Sequence, residues 1–205
     1  MTQTISTLSI ITAAAILISC GGAAIVATAD NHGHHHNNNS HEPMPPFVGV
    51  NELVAVVHGT SEGDASGTVR FKQDHRGRVT VTARIEGLEP NQKHGFHVHE
   101  FGDCSADDAT SAGGHYNPEG HPHGIPNDEE AHLHAGDFGN LEADDDGVAE
   151  FELIVENISL AGTHNPIVGR AVIVHRDEDD GSQPLGDAGP RIGCGVIGVA
   201  QLDGE

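Results

Sequence analysis

Tryptophan is absent from this 205-residue chain, tyrosine occurs once and phenylalanine six times. Any core must therefore be mostly aliphatic. Basic side chains are also scarce: nine Lys and Arg stand against 31 Asp and Glu, a formal net charge of −22. Such a surface repels polyanions, so nucleic acid and anionic lipid surfaces are excluded as expected partners. Long helical periods are missing, whereas 27 glycines supply turns, a balance that suits short strands. Long apolar runs are missing too. Leu8 to Ile18 is predominantly apolar, but a bilayer-spanning helix takes about 20 residues.

Residues 1–29 contain no charged side chain, not even the usual Lys or Arg near Met1. The short apolar stretch still fits the hydrophobic region of a signal peptide. Two cleavage readings compete. Leu17-Ile18-Ser19-Cys20 is similar to a bacterial lipoprotein box, in which the signal ends at Ser19 and a lipidated Cys20 tethers the protein to a membrane. Ala27-Thr28-Ala29 is similar to an ordinary cleavage site before Asp30. Either way the chain is expected to be exported, to the periplasm or cell envelope with or without a lipid anchor, or secreted. Residues 30–46, with five histidines between His32 and His41, have too little apolar surface to fold and are expected to form a disordered His/Asn-rich linker. Such a tract either chelates metal or serves as a soluble spacer. Cysteine is sparse: Cys20 falls in the targeting segment, leaving Cys104 and Cys194. An oxidising compartment would let these two join; otherwise they are unrelated thiols.

Histidine is abundant. Alternate residues of a strand face the same way, so His97 and His99 in Gly95-Phe96-His97-Val98-His99 would aim two imidazoles at one point. Neutral imidazole suits copper and zinc. Alone, the pair is weak evidence. Downstream stand His115, His123, His134 with Asp137, and His175 at the end of Val172-Ile173-Val174-His175. Most lie within residues 104–147, a stretch rich in Gly, Pro, Asp and Asn with no helical or alternating period. A long structureless segment inside a domain is functional or disordered, and its ligand-type residues favour function.

These segments resemble the copper/zinc superoxide dismutase family, in its exported bacterial form. The resemblance rests on GFHVHEFGD at 95–103, TSAGGHYNP at 110–118, HAGDFGN at 134–140, DGVAEF at 146–151, GRAVIVH at 169–175 and AGPRIGCGVIGVAQ at 188–201. It runs from about Glu52 to Gln201, within a domain placed at 47–205.

The resemblance implies that His97, His99, His115 and His175 hold copper. It implies that His115, His123, His134 and Asp137 hold zinc, so that His115, deprotonated at both nitrogens, bridges the metals. Two neighbours compete: His121 stands beside His123 and His132 beside His134. The eight-residue step from His115 and the following glycine favour His123; the adjoining Ala-Gly-Asp favours His134. Asp179 matches the carboxylate that links a copper ligand to a zinc ligand, although Asp177, Glu178 and Asp180 leave the register open and an acidic solvated loop is the plain alternative. The resemblance also implies a Cys104–Cys194 disulfide tying the metal loop to the last strand, worth about 2–4 kcal/mol.

Residues 52–58, 67–72, 78–85, 95–100, 148–154, 168–175 and 195–200 read as strands. Composition and alternation support only an all-β fold. The resemblance implies a Greek-key β-sandwich or flattened eight-stranded barrel with long metal-binding loops.

The implied reaction is dismutation of superoxide to oxygen and hydrogen peroxide at a redox-cycling copper next to a structural zinc, protecting the cell envelope. Arg191 matches the arginine that guides the anion; the structural alternative is a brace on backbone carbonyls. Because exposed charges are screened beyond roughly 8 Å at physiological salt, attraction must rest on Arg191 and the metals rather than on the acidic surface. The main rival is a protein that buffers or delivers metal; a third reading, a domain without activity, commonly goes with lost ligands, and none is missing here. A homodimer is left open, since family members pair through different surfaces.

Overall fold

A computed structural model describes residues 49–126 and 132–201. The expected targeting segment, Cys20 and the His/Asn-rich linker lie outside the described residues.

Buried and more exposed positions alternate along four of the eight strands, which gives each of those one inward face. On β1 (Glu52–Gly59), Leu53, Ala55 and Val57 are buried between exposed or half-buried neighbours; β2 (Ser66–Gln73) and β3 (Val79–Glu86) repeat the pattern. β4 (Lys93–His99) leads into a long loop that carries one 3-10 turn at Thr110–Ala112. β5 (Asp137–Glu142), β6 (Ala149–Val155), β7 (Ala171–His175) and β8 (Arg191–Val199) complete the eight strands.

All the ladders are antiparallel, in the order β5-β4-β7-β8-β1-β2-β3-β6. β5 and β6 are consecutive in sequence yet end the row at opposite edges. The Asp144–Gly147 turn joins them directly, so the sheet must curl until its edges meet. The result is a nearly closed, flattened barrel with crossovers from β3 to β4 and from β6 to β7. That is the expected all-β architecture.

With no tryptophan, the interior is filled by Val, Ile and Leu around a few phenylalanines. Phe96 lies 5.2 Å from Phe151 edge-on and 5.7 Å from Phe138. Burying such a side chain contributes about 1.5–3 kcal/mol. A smaller cluster of Ala109, Ala112, Ala171, Ile173 and Cys194 packs under the loop, against Cys104.

β5 is the strand that sequence patterning misses. Gly139 and Asn140 interrupt its apolar residues, and the buried positions do not alternate. It forms because β4 offers it a ladder, not because its own residues favour extension.

Candidate metal centre

β4 and its neighbour β7 are buried on both faces: every residue from His94 to His99, and from Ala171 to His175, is covered. Phe96 and Val98 point into the barrel core, so His97 and His99 occupy the opposite face. Register does the rest. His97 stands opposite Ile173 on β7 and Asp137 on β5, and His99 opposite Ala171. Directly paired residues share a face, so Asp137 and His175, two residues beyond Ile173, join the two histidines.

The long loop closes this face by hydrogen bonding to β4. Glu100 N–H donates to Gly114, Tyr116 N–H to Val98 and Val98 N–H to Gly136, at 2.9, 2.8 and 2.8 Å. His115 is thereby fixed as a bridge partner of His99. Gly136 is required here, because a Cβ would sit 2.2 Å from the Val98 carbonyl oxygen.

Two buried quartets result, each with ligand atoms within 4.8 Å of one another: His97, His99, His115 and His175; and His115, His123, His134 and Asp137. Each expected ligand is in its expected group, and His115 belongs to both. The competing histidines lie outside both quartets, His121 being half-buried and His132 exposed.

Hydrogen bonds at one ring nitrogen show which nitrogen is left for a ligand role. His97 Nε2 is 2.8 Å from Asp179 Oδ2, His99 Nδ1 is 3.0 Å from the Gly113 carbonyl and His175 Nδ1 is 3.0 Å from the Gly189 carbonyl. This leaves His97 Nδ1, His99 Nε2 and His175 Nε2. His115 Nδ1 is 2.9 Å from Asp137 Oδ1, so its Nε2 faces the first quartet.

His97 Nδ1 and His123 Nδ1 are buried without hydrogen-bond partners. His123 Nδ1 approaches Asp137 Oδ2 to 2.9 Å but is misaligned, so the contact is electrostatic rather than a hydrogen bond. Leaving such a nitrogen unsatisfied costs about 1–3 kcal/mol. One orphan lies in each quartet, and a cation in each would satisfy both. The donors fit the metals: four imidazoles suit copper, and three imidazoles with a carboxylate suit zinc.

Electrostatics sort the residues into two kinds. Burial pushes the rings of the first quartet down: His175 to about 3 and His115 to about 4, with His97 and His99 also lowered. They are neutral at pH 7, as ligands must be. Burial also opposes charge on His123, but the carboxylates of Asp137 and Asp179 outweigh it and raise the ring to about 9. In turn His115, His123 and His134 hold Asp137 below the usual carboxylate range despite its burial; His123 and His97 do the same for Asp179.

Asp179 is the fully buried member of its acidic run, while Asp177, Glu178 and Asp180 are exposed. Its Oδ1 reaches His123 Nε2 at 2.9 Å while Oδ2 takes His97, so one carboxylate spans the quartets. Sequence reading missed its anchor: Asn140 on β5 bonds both the N–H and the carbonyl of Asp179, at 2.8 and 2.9 Å. It also missed Gly186 (φ +75°), where a Cβ would lie 2.0 Å from Asp179 Oδ1 and 2.7 Å from His123 Nε2. Neither residue type announces such a role.

Arg191 donates from Nη1 to the Ala109 carbonyl and from Nη2 to the Gly113 carbonyl, both at 2.6 Å. The bracing alternative is therefore real. It also holds the half-buried guanidinium beside the first quartet, where its charge helps depress His99 and His175. Cys104 and Cys194 are joined by a disulfide that ties the loop to β8, 90 residues away in sequence.

Comparison with known proteins agrees with this geometry. The copper/zinc superoxide dismutase family pattern matches residues 65–197. A superoxide dismutase [Cu-Zn] from Yarrowia lipolytica is 49% identical over 156 residues, spanning 72% of this chain and 97% of the relative. A solved structure, the clock protein EA4, superposes with a TM-score of 0.65 at 38% identity, covering 73% of this chain and 95% of that one. The chain belongs to the copper/zinc superoxide dismutase family.

Proposed function

We propose that this protein dismutates superoxide, two anions and two protons giving oxygen and hydrogen peroxide. The observation that carries the reading is the membership of His115 in both quartets. His97, His99, His115 and His175 would hold copper; His115, His123, His134 and Asp137 would hold zinc. Bound copper supplies one-electron redox chemistry, and bound zinc supplies positive charge without it.

The chain's own residues do the rest. Arg191, always charged, docks the anion. His115 Nε2, when not held by copper, takes a proton from solvent and passes it to the reduced oxygen species; the second proton of hydrogen peroxide comes from solvent. Asp179 fixes the tautomers of His97 and His123, and the barrel and loop keep other reactants from the buried rings. The test is superoxide decay with protein loaded with copper and zinc, alongside His115→Ala. Rapid decay in the first and a large loss in the second is expected; a metal buffer would bind both ions without turnover.

Three finer readings accompany this. The disulfide and the uncharged leader support export to an oxidising envelope, where the enzyme would protect against external superoxide. Lipidation at Cys20 would tether it; fatty-acid labelling that disappears in Cys20→Ala checks this. A homodimer is supported by Val56 and Val196, exposed at 52% and 45% beside a groove of about 820 Å³ next to the disulfide. Sedimentation of Val196→Asp against the parent tests it.

A further inference from the structure

Two histidines near the zinc quartet have no part in it. His121 precedes His123 by two residues, and His132 precedes His134 by two. The ligands turn inward and are buried; their neighbours turn outward and meet each other, with ring centroids 5.1 Å apart. From these residues we infer a second, shallow metal site: His121, His132 and Glu119 bind one divalent transition-metal ion, zinc for preference, on the outer surface of the metal loop.

Spacing is the first support. Ring centroids of the histidines inside the two quartets lie 4.0–6.4 Å apart, and the outer pair falls within that range. Glu119 Oε2 is 3.7 Å from His121 Nε2. Ligand atoms about 2.0–2.1 Å from a tetrahedral zinc stand roughly 3.3 Å apart, so this pair is a few tenths of an ångström from a coordination edge.

Preorganisation is the second. Asn117 grips the backbone of His121 twice, its Nδ2 donating to the carbonyl at 2.9 Å and its Oδ1 accepting from the N–H at 3.0 Å. Asn165 Nδ2 donates to Glu119 Oε2 at 3.0 Å, which aims the carboxylate. The backbone that carries one ligand and the carboxylate of another are thus held in place, which lowers the ordering cost of binding. The three ligand atoms do not all lie within 4.8 Å of one another as those of each quartet do, so exposed His132, the adjustable third, must close on the ion by side-chain rotation. Two imidazoles and a carboxylate, with water completing the shell, suit zinc, and copper(II) follows.

The test uses the full chain with its buried centre already filled with copper and zinc. Zinc alone is titrated by equilibrium dialysis and calorimetry into the parent, into His121→Ala/His132→Ala and into Glu119→Gln. Zinc held by the His-rich stretch at 32–41 is common to all three and cancels. The double variant is expected to bind one zinc fewer per chain, and Glu119→Gln to bind it on the order of tenfold more weakly, with the copper(II) resonance spectrum and buried zinc content unchanged. Equal zinc binding in all three chains overturns the inference. So does altered copper resonance or lost buried zinc, which would make these residues supports of the buried centre rather than a site of their own. A failure of dismutation leaves this count unaffected, so the two readings fail separately.

Discussion

Arg191 and His99 converge on a single acceptor, the carbonyl oxygen of Gly113, with Arg191 Nη2 at 2.6 Å and His99 Nδ1 at 3.0 Å. One oxygen therefore fixes both the ring that offers Nε2 to the first quartet and the cation beside it. Charge and geometry at Arg191 can be separated on this basis. Arg191→Glu reverses the charge, and superoxide decay at moderate salt should slow by more than about tenfold, since local charge dominates where distant charge is screened. Arg191→Lys keeps the charge but loses the two-pronged brace, and should fall between. Decay rates measured across ionic strength check this; an unchanged rate for Arg191→Glu removes the residue from the mechanism.

Asp179 is the carboxylate shared by His97 and His123. Asp179→Asn keeps the shape but removes the charge, and its NH2 donates where the second carboxylate oxygen accepts, so it cannot take an N–H at both ends. Zinc affinity should fall about 10–100-fold, with little change in the barrel. Zinc retained against a chelator, together with far-ultraviolet circular dichroism, gives the answer. Full retention would reduce Asp179 to a packing residue.

Gly186 should reproduce that loss without touching a ligand. A Cβ there would fall 2.0 Å from Asp179 Oδ1, so Gly186→Ala must displace the carboxylate. Gly77 is the control, since it too has positive φ, at +89°, but nothing within 4 Å of an added Cβ. Gly77→Ala carries only the left-handed backbone cost, about 1–2 kcal/mol. Zinc loss on both substitutions, or on neither, would falsify the assignment.

Much of this centre was legible in the sequence because imidazole has few uses in a buried cluster and strand alternation sets direction. His97 and His99 could be placed on one face from spacing alone. His123 and Asp179 could not. Each sits in a run of candidates, His121 to His123 and Asp177 to Asp180, where the resemblance favours these two and burial separates the inward side chain from the outward one. β5 was illegible for a related reason: its stability comes from the partner strand, which no local pattern records. The hydrogen-bonding roles of Gly113 and Asn140 depend on contacts far away in sequence, and the role of Gly186 is the absence of a Cβ beside Asp179 and His123.

The disulfide closes a span of 90 residues. Breaking so long a loop should cost about 2–5 kcal/mol. Cys104→Ser should lower the urea midpoint accordingly, and reductant should bring the parent down to the same value. A parent that stays stable under full reduction would show that the small Ala109, Ala112 and Ile173 cluster holds the loop unaided.

The metal-free protein should be most stable near neutral pH, for reasons of opposite sign at the two ends. His115 and His175 titrate at about 4 and about 3 when folded, against roughly 6.5 unfolded. Between those values the unfolded chain binds more protons, so stability falls as pH drops below about 6.5. Asp137 and Asp179, both depressed, add to the loss once pH falls through the carboxylate range. His123 works the other way: raised to about 9, its contribution is complete below about 6.5 and is lost as pH climbs through 9. Thermal midpoints of the stripped protein from pH 3 to 10 should therefore trace a dome. Zinc should remove the alkaline limb in particular, because an ion at His123 Nδ1 replaces the proton that Asp137 and Asp179 otherwise retain. An alkaline limb that persists with zinc bound would mean that His123 is not among its ligands.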